Sequence, residues 1–137
     1  MRTIVVAYDE TPESERALER AATLAKAFGS RLVVTSVAPI TVSPGRSAGP
    51  IDSTDTPADN VAELKHAREY LDGQGLQADY VPAIGHPDVA IVEVAKEQSA
   101  DLVVIGTREV GLVKRALGQS VSEGVAHHVE CDLLIVH

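Results

Sequence analysis

Short runs of β-branched residues alternate along the chain with longer stretches in which apolar positions recur every three or four residues. "TIVVAYD" (3–9), "RLVVTSVA" (31–38) and "DLVVIG" (101–106) are compact apolar runs, the pattern of strands covered on both faces. Between the first two, "TPESERALERAATLAKAFGS" reads as a helix. Thr11 fits its N-cap, Pro12 its first position, and Glu13 and Glu15 its positive start. Ala17, Leu18, Ala21, Ala22, Leu24, Ala25 and Phe28 form its apolar stripe, and Gly29 is the stop. A second helix runs from Pro57 to about Leu71, with Val61, Leu64, His66, Ala67, Tyr70 and Leu71 on one broad face. "LQADYVPAIG" is a third strand, and Pro82 marks it as an edge. "HPDVAIVEVAKEQSA" is a third helix opened by Pro87, residues from about Ser120 to Val129 form a fourth, and "CDLLIVH" is a last strand. The stretch at about 38–58 is rich in Pro, Gly, Ser, Thr and Asp and has no period. It reads as a long flexible loop within one domain spanning 1–137.

Strands and helices in strict alternation predict an α/β fold of three layers. The sheet is five-stranded, parallel and doubly wound, with helices on both faces. The most apolar short runs, the first and fourth strands, belong at the centre, the proline-bearing third at one edge and the last at the other. The order is then 3-2-1-4-5. Ligands in such sheets bind at the carboxyl ends of the strands where the order reverses, here the first and fourth.

Composition narrows the function. Aromatic residues make up only 3% of the chain, so Val, Ile, Leu and Ala must build the core. A net charge of −8 argues against nucleic acid, which selects a basic face. Cys131 is the single cysteine, so no internal disulfide is expected and a small buried residue explains it. No apolar run is long enough for a signal peptide or a membrane span, which predicts a cytoplasmic protein without a membrane partner. No cluster has metal-ligand spacing and no nucleophile arrangement stands out, so neither a metal site nor catalytic residues are expected.

The chemistry concentrates in "VVIGTREVGLVKRALGQSVSEGV" (103–125). Gly106, Gly111 and Gly118 permit close backbone approach. Ser120 and Ser122 open the fourth helix, whose free N–H groups attract anions, and Arg108, Lys114 and Arg115 add positive charge. A phosphate cradle and a loop with a serine cap and a solvated basic patch both fit this spacing. The stretch is neither a dinucleotide glycine fingerprint nor a P-loop.

The whole chain resembles a universal stress protein domain. The resemblance lies in "IVVAYDETPES", "GHPDVAIVEVAKEQSADLVVIGTR" and "KRALGQSVSEGVAHHVECDLLIV". It implies an α/β fold of nucleotide-binding type, a homodimer formed through the last strand at 132–137, and a protein partner whose identity is unknown. ATP-binding members carry Gly-x2-Gly-x9-Gly followed by Ser or Thr in this loop. Gly106 matches the first glycine and Ser120 the hydroxyl residue, with Val121 and Ser122 at the next phosphate-facing positions. Asp9 matches the acid at the nucleotide, Ala7 and Tyr8 the base or ribose lining, and Val37 a position whose backbone meets adenine. The other two glycines fall on Glu109 and Gln119. Glu109 would set a negative charge beside a triphosphate, a repulsion on the order of a few kcal/mol. Members without the glycine pattern commonly do not bind ATP. Two readings therefore stand. One is a regulatory, non-enzymatic module that weakly binds ATP or another adenine nucleotide with a divalent cation. The other is a nucleotide-independent dimeric interaction protein with an occluded pocket. A weak ATPase is the remaining alternative.

Overall fold

The structure, a computed structural model, describes residues 2–38, 57–107 and 121–137. Among these residues strands and helices alternate strictly: β1 (Thr3–Ala7), α1 (Pro12–Phe28), β2 (Arg31–Ala38), α2 (Pro57–Gly73), β3 (Ala78–Ile84), α3 (Pro87–Glu97), β4 (Leu102–Gly106), α4 (Val121–His128) and β5 (Asp132–Val136). The sheet is parallel throughout, in the order β3-β2-β1-β4-β5, as the apolar runs and Pro82 predict. Val5 lies opposite Val33 on one side and Val103 on the other.

Alternate strand residues face opposite layers. Ile4, Val6, Leu32, Val34, Leu102 and Val104 pack under α1 and α2. Val5, Val33, Val103 and Ile105 pack under α3 and α4. Each such side chain, fully removed from water, contributes roughly 1.5–3 kcal/mol before the entropy of ordering is set against it. Helix α1 begins and ends as its residues require. The Ser14 N–H donates to the Thr11 hydroxyl oxygen at 3.2 Å, and Gly29 turns left-handed at φ 65.

Two sequence expectations are corrected. Phe28 is 58% exposed rather than part of the stripe, because Ala25 is the last buried position of α1 and the chain turns at Gly29 into the start of β2. On α2 the inward face is Asn60, Leu64, Ala67 and Leu71, while Val61 and His66 point outward. β2 runs through Ala38 and α2 starts at Pro57, as the sequence predicts for that helix. Residues 39–56 lie outside those described.

Candidate functional site

The two central strands part at their carboxyl ends. Pairing between β1 and β4 ends at Val6 and Val104. Beyond it, the Tyr8 N–H donates to the Thr35 carbonyl at 2.9 Å, so the chain after β1 leans toward β2. The Thr107 N–H donates to the Val136 carbonyl at 2.9 Å, so the chain after β4 leans toward β5. A sheet of this order is expected to present its ligand site where the two strands diverge.

Asp9 shapes one wall. Its Oδ1 accepts from the Thr11 hydroxyl at 2.6 Å and from the Thr11 N–H at 3.2 Å. Its own N–H donates to the Ser14 hydroxyl oxygen at 3.1 Å. Glu10 between them is left-handed at φ 66, an uncommon conformation for a side chain of this size. The loop is thus a tight turn tied to the first turn of α1.

Gly106 ends β4, and its missing side chain has a neighbour. A Cβ there would lie 2.4 Å from the Glu13 carbonyl oxygen and 2.6 Å from its carbon. The first turn of α1 rests directly on the end of β4.

The lining positions divide between the two faces. Ala7 and Val37 pack partly on the α3 and α4 side. The Tyr8 side chain turns the other way, is 3% exposed and joins the core under α1 and α2. Its hydroxyl meets His66 Nδ1 at 2.9 Å. Burial first, then the charges of Glu15, Glu10, Glu63 and Asp9, raise the Tyr8 phenol far above its ordinary pKa. Glu10 Oε2 also stands 3.2 Å from His66 Nδ1. Beside this group, the buried Ser36 hydroxyl lies 3.1 Å from Asn60 Oδ1 and bonds the Glu63 carboxylate, while Asn60 Nδ2 donates to the Ala83 carbonyl at 3.0 Å.

Sequence reasoning missed Ser36, Asn60 and Glu63 and read His66 as an apolar-face residue. The spacing 60, 64, 67, 71 was the available signal for Asn60, since it continues the helical stripe through a polar residue. Of the candidates carried by resemblance, Ala7, Tyr8, Asp9, Val37 and Gly106 come together at the carboxyl ends of β1, β2 and β4. Val121 and Ser122 open α4. Arg108, Glu109, Gln119 and Ser120 lie outside the described residues. Among the described residues no group of three or more His, Cys, Asp and Glu side chains is arranged to hold a metal ion. No helix among them is long and apolar enough to cross a membrane.

The model of the Universal stress protein family matches residues 1–137. Universal stress protein YxiE of Bacillus subtilis is 31% identical over 144 residues, covering 97% of this chain and 97% of its own. Universal stress protein Rv1636 of Mycobacterium tuberculosis is 30% identical over 141 residues, covering 99% and 96%. Among solved structures, a universal stress protein in complex with cAMP superposes with a TM-score of 0.76 at 29% identity, covering 99% of this chain and 97% of that one.

Proposed function

The chain belongs to the universal stress protein family, and we propose that it is a non-enzymatic regulatory module that binds an adenine nucleotide where β1 and β4 diverge. The observation that carries this reading is the divergence of β1 and β4, with Tyr8 bonding toward β2 and Thr107 toward β5. The relative in complex with cAMP supports the choice of ligand. In this reading Ala7, Tyr8, Asp9 and Val37 meet the base and ribose, and Gly106, Arg108, Ser120, Val121 and Ser122 the phosphate. One phosphate demands less of the cradle than three. Glu109 and Gln119 therefore weigh most against ATP and least against a mononucleotide, for which a divalent cation is dispensable. A cytoplasmic location goes with this reading.

Thermal unfolding with millimolar AMP, cAMP or ATP, each with and without Mg²⁺, tests it. A ligand present at one hundred times its Kd adds about 2.7 kcal/mol. A melting temperature unmoved by all of them sinks the binding proposal.

A second reading, a nucleotide-independent interaction protein, is favoured by the contact of Glu13 on Gly106, which explains that glycine without a ligand. Both readings include a homodimer through 132–137. β5 is a sheet edge, and its Leu133, Leu134 and Ile135 are only half-buried in the single chain. Sedimentation equilibrium showing only monomer at high micromolar concentration would remove the dimer from both.

A further inference from the structure

One carboxylate stands at the start of two helices. α3 follows β3 and α4 ends just before β5, so both helices run against the strands and both begin at the carboxyl ends of the sheet. Each start carries free N–H groups and the positive end of a helix dipole. His86, the N-cap of α3, gives that helix no side-chain hydrogen bond. Asp88, in the first turn, supplies one instead: its Oδ1 accepts from the Val89 N–H at 2.9 Å. Its other oxygen reaches α4. A Cβ on Gly124 would stand 2.4 Å from Asp88 Oδ2 and 2.6 Å from Asp88 Cβ, so the lack of a side chain at Gly124 is what admits the carboxylate to the first turn of α4. Asp88 is half-buried there. A negative group at this place favours both helices, and it is the charge that a phosphate would otherwise bring.

We propose that Asp88 is a specificity residue, an anion built into the joint start of α3 and α4 that lowers the affinity of this end of the sheet for phosphate groups, and lowers it more the more charge they carry. The inference rests on the reading above, in which the start of α4 meets the phosphate. Two like charges at one helix start repel, and the repulsion grows with the charge of the ligand. A positive helix end that already has its counter-charge gains less from a second one. A larger residue at 124 would push the carboxylate off α4, so Gly124 and Asp88 act as a pair. Asp88 adds a second reason, independent of Glu109, for a ligand with few phosphates.

The test uses the full chain and ligands without a nucleoside, orthophosphate and tripolyphosphate, at neutral pH and matched ionic strength, with binding read by titration calorimetry. Asp88→Asn removes the charge, and its amide oxygen can still accept from the Val89 N–H, so the variant keeps the start of α3. Glu97→Gln removes the same charge from the far end of α3 and controls for net charge. Asp88→Asn should tighten tripolyphosphate binding about threefold or more and orthophosphate binding by less, while Glu97→Gln leaves both near wild type. A purely structural Asp88 would change the ligand-free melting temperature and leave the affinities alone, and that result overturns the proposal. Equal tightening in the two variants also overturns it, as an effect of net charge. So does weaker binding in Asp88→Asn, which would make Asp88 a holder of cations, or no binding of either phosphate to that variant. The nucleotide reading is judged separately, on the wild-type chain with AMP, cAMP and ATP. A wild type indifferent to all three, beside an Asp88→Asn variant that takes up tripolyphosphate, would sink the nucleotide and keep the anion position that Asp88 fills.

Discussion

Gly106→Ala isolates what the fold asks of this position. Gly106 is the last residue of β4, in register with Val136, so an alanine meets no conformational penalty there. The whole effect is steric. The added Cβ would stand 2.4 Å from the Glu13 carbonyl oxygen, where ordinary contact starts at 3.4 Å, so the first turn of α1 must retreat by about 1 Å. The atoms in the way are backbone, held by the Thr11 cap and by the Glu15 N–H bond to the Thr11 carbonyl at 2.9 Å, and they cannot swing aside. Overpacking of this kind costs roughly 1–3 kcal/mol. In a chain of this size that lowers the melting temperature by roughly 4–12 °C. Calorimetry without nucleotide reads the effect, with Gly73→Ala as the control, since nothing lies within 4 Å of a Cβ there. The reasoning fails if Gly106→Ala melts with the wild-type chain. If such a variant also lost nucleotide binding, the glycine would be kept for the ligand alone.

Asn60→Ala removes the donor to the Ala83 carbonyl in a site only 2% exposed, and should cost roughly 1–3 kcal/mol in urea unfolding. A loss no larger than that of a surface substitution would place water at that carbonyl. Asp101 accepts from the Thr3 and Arg2 N–H groups at 2.9 and 2.8 Å, and those bonds, Thr3 first, hold its carboxyl below the ordinary aspartate range. A depressed folded pKa gives stability that is present above the unfolded value, near pH 4, and lost as pH falls through the folded one. Asp101→Asn should therefore lower stability at neutral pH and flatten its decline in acid; urea midpoints parallel to wild type through that range would exclude this carboxylate. Glu109→Gly removes a repulsion on the order of a few kcal/mol and should tighten ATP binding about tenfold or more by titration calorimetry. Unchanged affinity would transfer the obstacle to Gln119.

The strand order was legible because strands buried on both faces leave a continuous apolar run and an edge tolerates proline. β1 and β4 carry the first signal and Pro82 the second. The inward face of α2 was less legible. Asn60 is buried because its amide is paired to Ala83 and Ser36, and a reading by hydrophobicity cannot count a polar residue whose burial depends on distant partners. His66 was placed on the apolar face by spacing alone, whereas its side chain is half exposed and its ring meets Tyr8 and Glu10. The neighbour of Gly106 was hidden for the same reason, since Glu13 reaches it only through the packing of α1 on β4.

That hidden contact changes what the glycine motif means. The glycine retained at 106 is one the fold requires with or without a ligand, because the Glu13 backbone occupies the space of its side chain. Its presence therefore carries no weight toward nucleotide binding. Asp9 is in the same position, since its carboxylate already shapes the turn through Thr11. In the proposed reading the weight passes to positions 109 and 119, where the resemblance aligns Glu109 and Gln119 with motif glycines. Drift toward bare fold requirements would leave this pattern, and it argues for a smaller ligand than ATP or for none.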